Sequence, residues 1–253
     1  MTYKKGQIAQ AYNTLASRLH QHWAAQNFFN TYLDTPAVMR LLPNVRDLTV
    51  LDLGCGSGRY AKLFQAQGAT VYGIDVSEQL IDIARREVAG VSFDVADMEH
   101  IPFADHFFDI VVSPLAMHYL EDWTGVLQEV KRVLKPAGCF IFSTTHPLLE
   151  CWEVIDVNGT VLKVIGKTQS GTAIGDYFTE RWIDYVWGGV SVPFHHKTFE
   201  TIIHTIVAGG FVVEEYVDAQ PAAAAEAIDP EAYGLYTKLP LFCAMRVRKG
   251  AVG

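Results

Sequence analysis

The sequence predicts an α/β protein built on a doubly wound, mostly parallel sheet, and three observations carry that prediction. Short apolar runs rich in Val, Ile and Phe recur from residue 48: TVLDLG, TVYGID, VSFDVAD, FDIVVS and CFIFSTT. Segments of helical spacing lie between them, and this alternation is the pattern of βαβ units whose helices cover both sheet faces. No repeat of fixed period competes with it. At 253 residues, half of them hydrophobic and 19% charged, the chain has ample material for one large core.

The elements follow in order. Ile8, Tyr12, Leu15, Leu19 and Trp23 recur at steps of three and four, which predicts an opening amphipathic helix. Thr35-Pro36 reads as an N-cap and first helical position, starting a short helix that stops near Pro43. Leu63 and Phe64 mark the helix after the first strand. Ser77, with Glu78 in the first turn, caps the next, whose apolar stripe is Leu80, Ile81, Ala84 and Val88. Asp122 opens a third, with Val126, Leu127, Val130, Val133 and Leu134, and Lys135-Pro136-Ala137-Gly138 stops it. After Thr145 the rhythm breaks. Residues 146–196 hold aromatics and glycines without helical spacing, which predicts two or three antiparallel strands with Asn158-Gly159 as a hairpin turn. A helix over 197–208, ended by Gly209-Gly210, precedes the strand FVVEEYV. AQPAAAAEAIDPEAYG reads as a loop with one helical turn, and PLFCAMRVRK as a closing antiparallel strand beside the sheet edge. The expected organisation is a single domain, 1–253. It has a helical cap (1–45), a core (46–146), an inserted β lid (147–196) and a C-terminal return to the core (197–253).

Charge and cysteine usage narrow the function. The net charge is −8 with no basic block, which disfavours a polynucleotide partner. MTYKKGQIAQAYN has no apolar core behind its lysines, so no secretory signal is expected there. No uncharged apolar run approaches the roughly 20 residues of a membrane span. Cys55, Cys139, Cys151 and Cys243 form no CxxC pair and suit reduced thiols, so a cytoplasmic location is expected.

The densest chemical signal is VLDLGCGSGRY, residues 50–60. Gly54, Gly56 and Gly58, with Cys55 among them, sit on a strand-to-helix turn, where glycines permit positive φ and let a ligand approach the backbone. Arg59-Tyr60-Ala61-Lys62 after the glycines excludes a Lys-Ser/Thr phosphate loop. The dinucleotide pattern is nearly met, but its third glycine comes one residue early. Asp52 lies two residues before the turn, Asp75 ends the second strand and Asp97 the third, so topology gathers three carboxylates around one crevice. They would repel a pyrophosphate and welcome an ammonium and a sulfonium. The charges favour S-adenosylmethionine over NAD. An NAD-dependent oxidoreductase and a non-catalytic S-adenosylmethionine-binding regulatory protein stay as alternatives.

Asp52-Leu53-Gly54-Cys55-Gly56-Ser57-Gly58 also resembles the D/E-x-G-x-G-x-G signature of class I S-adenosylmethionine-dependent methyltransferases, in particular the small-molecule, methyltransferase type 11-like group. The likeness continues in order through Gly73-Ile74-Asp75-Val76-Ser77, Ala96-Asp97-Met98, Ile101 to Asp105, Phe108 to Val111 and Val133 to Gly138, covering about residues 48–146. It implies a Rossmann-like, seven-stranded sheet with an antiparallel last strand. It further implies that Gly54, Gly56 and Gly58 line the methionine portion of the cofactor, with Asp52 near its amino group. Asp75 would take both ribose hydroxyls, Val76 and Met98 would cover the adenine, and Asp97 would accept from the adenine amino group. Ser113 would face the methionine portion or the methyl group. Tyr12, on the helix that closes over the cofactor in many relatives, is a candidate contact or else a core aromatic.

Methyl transfer from a sulfonium is an in-line displacement on an activated carbon, so alignment in a dry pocket supplies much of the acceleration. A hydroxyl or protonated amine acceptor adds a need for a base. The candidates are His118 after the fourth strand, His146 ending the fifth, and His195 or His196 where the lid rejoins the core. Ser113-Pro114-Leu115-Ala116 lacks the amide or acid that base-methylating relatives carry there, and His195-His196 with His204 has no zinc spacing, so no metal is expected. Tyr177, Phe178, Trp182, Tyr185, Trp187 and Phe194 crowd 18 residues of the lid. Tyr177, Trp187 and His196 are the candidate acceptor contacts, and the aromatic wall implies a small, partly apolar acceptor. A homodimer through the same surface stays open.

Overall fold

The computed structural model describes residues 3–24, 27–149, 153–157, 160–164, 177–187 and 189–250, with backbone alone at 3–5, 17–24, 153–157, 160–164 and 187. The strands of the main sheet are β1 (Thr49–Leu53), β2 (Thr70–Asp75), β3 (Ser92–Val95), β4 (Phe108–Ser113), β5 (Leu134–Thr145), β10 (Phe211–Asp218) and β11 (Phe242–Lys249). Their order is β10-β11-β5-β4-β1-β2-β3. β1 to β5 pair in parallel, and β11 runs antiparallel between β5 and β10. The closing strand therefore lies inside the sheet, and β10 is the edge. β11 is buried through Cys243, Ala244 and Met245, so its apolar run is that of an inner strand.

Val50, Leu51, Asp52 and Leu53 are all buried, as on a parallel strand covered on both faces. One face carries α2 (Thr35–Leu41), α3 (Arg59–Ala66) and α4 (Glu78–Glu87), and the other α5 (Thr124–Val133) and α6 (Phe199–Ala208). Two apolar cores result. Phe64, Ile81 and Phe93 belong to the first, and Phe108, Trp123, Phe140 and Phe142 to the second. The Ser77 cap forms as expected, its side chain accepting from the Leu80 amide.

α1 (Tyr3–Ala24) is the opening helix. Ala16 packs on Leu80 and Ile83 of α4, while Ala11 and Leu15 pack on Val192, so the helix bridges the core and the inserted segment. The side chains of Leu19 and Trp23 lie outside the described residues. Three expectations need correction. A π-helical turn, Phe29–Asp34, precedes α2, and Thr35 is helical rather than an N-cap. Its hydroxyl donates back to the Asn30 carbonyl instead. The insert contains four described strands in two hairpins, β6 (Glu153–Val157) with β7 (Thr160–Val164) and β8 (Arg181–Trp187) with β9 (Val190–His196). Asn158 and Gly159 themselves lie outside the described residues. The stretch after β10 holds a 3₁₀ turn, Ala223–Ala227, and a true helix, α7 (Pro230–Tyr236). Asp229 caps that helix on the Ala232 amide and Pro230 opens it, a start signal hidden behind the alanine run.

Candidate active site

The chain leaves β1 to build β2 and β3 on one side, then crosses to β4 on the other. This reversal opens a crevice at the carboxyl ends of β1 and β4, where open α/β sheets bind ligands. A cavity of about 690 Å³ fills it. Its floor is the β1–α3 turn, where Gly54, Gly56 and Gly58 all have positive φ (77°, 53° and 83°). A Cβ on Gly54 would lie 2.7 Å from that of Ala116, so a side chain there would block the floor.

Two carboxylates brace this turn. Asp52 Oδ2 accepts from the Ala61 amide at 2.9 Å, whereas its Oδ1 is buried without a partner. Burial pushes its pKa up to about 7 against the Ala61 hydrogen bond, with Asp75 adding to the rise. Asp75 Oδ2 accepts from the Gly56 amide (2.8 Å) and Oδ1 from the Ser77 amide (2.9 Å); burial raises this carboxyl as well. Val76, Asp97 and Met98 continue the lining, with Asp97 two residues beyond β3. Tyr12 roofs the cavity from α1, its hydroxyl paired with that of Tyr119.

The other side of the cavity was not foreseen. The π-helical turn brings Phe29, Asn30 and Asp34 to it, and α3 brings Arg59 and Tyr60. The Tyr60 hydroxyl donates to Asp34, and burial pushes Asp34 up to about 6 while the hydroxyls of Ser143 and Tyr60 pull it down. Arg59 Nη2 reaches the Asn30 carbonyl (3.3 Å) and Thr31 Oγ1 (3.4 Å), and its Nη1 is buried without a partner. Tyr236, Leu241 and Phe242 complete this side. Ile183 and Tyr185 of β8 cross from Phe194 and Val192 of β9, and these four with Asp184 form the wall that the insert contributes.

The predicted site residues divide. Tyr12, Asp52, Gly54, Cys55, Gly56, Asp75, Val76, Asp97, Met98 and His118 line the cavity. Gly58 does not: its missing Cβ would lie 2.9 Å from Phe93 and 3.1 Å from Val88, so it lets α3 pack on the core. Ser113 is fully buried, donating to the Leu53 carbonyl at 2.9 Å. His146 turns away, its Nε2 3.2 Å from Asp218 and its Nδ1 accepting from the Leu148 amide. His195 pairs with Trp182 on the face of the hairpin opposite the wall, with Nδ1 3.4 Å from Lys197 Nζ. His196 is bonded to the Tyr177 carbonyl (2.9 Å), and the Tyr177 hydroxyl accepts from the Phe199 amide. These two residues fasten the root of the hairpin to α6 and do not line the cavity. The Trp187 side chain lies outside the described residues. Among the histidines whose side chains are described only His118 meets the cavity, buried against Tyr119 with Nδ1 unpaired, and burial pushes it down to about 3.

Known proteins match this arrangement. Residues 51–142 fit the model of a family described as "Methyltransferase domain". A malonyl-[acyl-carrier protein] O-methyltransferase of Enterobacter lignolyticus is 33% identical over 195 residues, spanning 75% of this chain and 74% of its own. An uncharacterized protein of Haemophilus influenzae is 28% identical over 201 residues, 74% of this chain and 76% of its own. The crystal structure of an S-adenosylmethionine-dependent methyltransferase from Mesorhizobium loti superposes with a TM-score of 0.70 at 29% identity, covering 85% of this chain and 96% of that one. The dinucleotide oxidoreductase reading falls, and the crevice has its owner: the chain belongs to the class I S-adenosylmethionine-dependent methyltransferases and is an enzyme of that family.

Proposed function

We propose that the enzyme methylates a small, partly apolar acceptor, and the observation that supports this most is the division of the cavity. Its β1–β2–β3 side carries carboxylates. Across from them the insert adds an apolar wall of Ile183, Tyr185, Val192 and Phe194, interrupted by Asp184, while His118 and Asp34 are polar groups available to an acceptor. The residues present fit S-adenosylmethionine: Asp52 offers a buried, unpartnered oxygen to the ammonium, and Asp75 stands at the end of β2 for the ribose hydroxyls. Val76 and Met98 would flank the adenine, with Asp97 beside it. When bound, the cofactor supplies an electrophilic methyl group on a sulfonium. The chain's part is to hold the acceptor in line and keep water out, with α1 and the β8–β9 hairpin as the cover.

For the acceptor's proton the cavity offers two groups of different strength. His118, held neutral by burial, is too weak a base to keep a proton at neutral pH; its Nδ1 orients an O–H or N–H. Asp34, at about 6, is the better-matched proton acceptor. His146 is structural on this reading. His146→Ala should cost about 1–3 kcal/mol of stability through the lost Asp218 and Leu148 contacts, with unchanged affinity for S-adenosylhomocysteine. Urea unfolding and calorimetry check the two halves of that statement.

Cys55, Cys139 and Cys243 are free and buried, which supports a cytoplasmic location. Among the described residues no helix is long and apolar enough to cross a membrane. The test of the whole reading is release of S-adenosylhomocysteine during incubation with small aromatic hydroxyls, amines, thiols and carboxylic acids, with a carrier-bound malonyl thioester as the contrasting arm. Turnover of free small acceptors supports the reading. Turnover of the carrier-bound arm alone overturns it and assigns the chain the acceptor named for its Enterobacter relative.

A further inference from the structure

Arg59 is the one Lys or Arg among the described residues that line the cavity. It opens α3 directly behind the glycine turn, and its guanidinium is half used. Nη2 holds the π-helical turn through the Asn30 carbonyl and Thr31 Oγ1, while Nη1 is buried with no acceptor. A buried guanidinium N–H without an acceptor is costly, so the arrangement calls for an anion. Asp34 is the nearby carboxylate whose charge Arg59 already feels, yet no hydrogen bond joins the two: its Oδ2 accepts from the Tyr60 hydroxyl and its Oδ1, like Nη1, is buried without a partner. Across the same helical turn stands the opposite vacancy. Asp52 is anchored on the Ala61 amide, two residues beyond Arg59, with Oδ1 unpartnered. A ligand end bearing both an ammonium and a carboxylate matches these two groups. The positive end of the α3 dipole favours the carboxylate on the Arg59 side.

We propose that Arg59 seats the carboxylate of the cofactor's amino-acid end and, through its second nitrogen, couples that carboxylate to the placement of the turn that builds the acceptor side. The inference rests on the reading of the cavity as the cofactor pocket. An anion on Nη1 fixes the plane of the guanidinium, and the planar fork then fixes Nη2 against Asn30 and Thr31. Phe29 and Asp34, on the same turn, face the acceptor. Cofactor binding thereby completes the acceptor side, and the acceptor follows the cofactor in order of binding.

The experiment compares S-adenosylhomocysteine with its decarboxylated analogue, which keeps the ammonium, by calorimetry on the wild type, Arg59→Gln and Arg59→Lys. Amide hydrogen exchange over residues 28–34 is followed with each compound. The wild type should bind S-adenosylhomocysteine at least tenfold more tightly than the analogue, and only the former should slow exchange in that segment. Arg59→Gln should erase the difference, and Arg59→Lys should keep part of it. Equal wild-type affinities, or a difference that survives Arg59→Gln, would overturn the carboxylate seat while leaving the cofactor pocket intact. Exchange slowed equally by both compounds would overturn the coupling. The exchange arm needs no variant, so a misfolded Arg59→Gln cannot rescue the proposal. Binding of neither compound would remove the pocket reading and this inference with it.

Discussion

Asp75→Ala is expected to weaken S-adenosylhomocysteine binding roughly 30- to 150-fold, about 2–3 kcal/mol, with the fold retained. On the proposed placement two effects add. The carboxylate loses charge-assisted hydrogen bonds to the ribose hydroxyls, the stronger class of such bonds. It also releases the Gly56 amide, 2.8 Å from Oδ2, and so loosens the turn that forms the cavity floor. Asp75→Asn keeps one acceptor oxygen and should fall between. Stability should change little, because the Asp75 carboxyl is only half-buried and its pKa is raised, not lowered, by the fold. Calorimetry with a parallel thermal melt distinguishes the cases. Wild-type affinity in the alanine variant would show that the ribose lies elsewhere.

The elements that position this site were legible because their signals are local. A buried apolar run ending in Asp52, a glycine turn and the Ser77 cap each declare themselves within a few residues, and all three formed as read. The number of strands in the insert was not legible. A strand's neighbours depend on partners far along the chain, and the aromatics and glycines of residues 146–196 fix neither how many strands form nor how they pair.

The carboxylate side of the cavity was legible from topology, since Asp52, Asp75 and Asp97 lie at or just beyond the ends of β1, β2 and β3 and all three line it. The opposite side was not. Asp34 precedes Thr35-Pro36 and reads as a helix-start residue; only the π-helical turn swings it onto Tyr60. Arg59 served merely to exclude a phosphate loop. The histidines show the same limit: His146 and His195 were chosen for where their strands end, and side-chain direction sent one to Asp218 and the other to Lys197. Gly58 and Ser113 sit in the right motif and do structural work within it.

Affinity for S-adenosylhomocysteine is expected to climb as pH rises from 5.5 to 7.5, approaching tenfold per pH unit at the acid end, and Asp52 is the reason. Burial holds its carboxyl up to about 7, so at pH 6 most of the free enzyme carries it protonated and unable to receive an ammonium as an ion pair. Binding must expel that proton, and the affinity falls with the fraction ionised. Methylthioadenosine lacks the ammonium and should show no such slope. The stability of the ligand-free protein moves in the opposite sense. Because the folded pKa lies above the ordinary 3.8, the contribution is fully present below about 4 and is lost as pH rises through 7. Asp52→Asn should therefore be more stable than the wild type at pH 8, on the order of 4 kcal/mol, equal to it near pH 4, and bind the cofactor weakly with a flattened slope. Any slope left at pH 6 in that variant belongs to the other carboxyls of the cavity that burial raises, Asp75 and Asp34. A slope as steep as in the wild type would mean that Asp52 does not hold the ammonium.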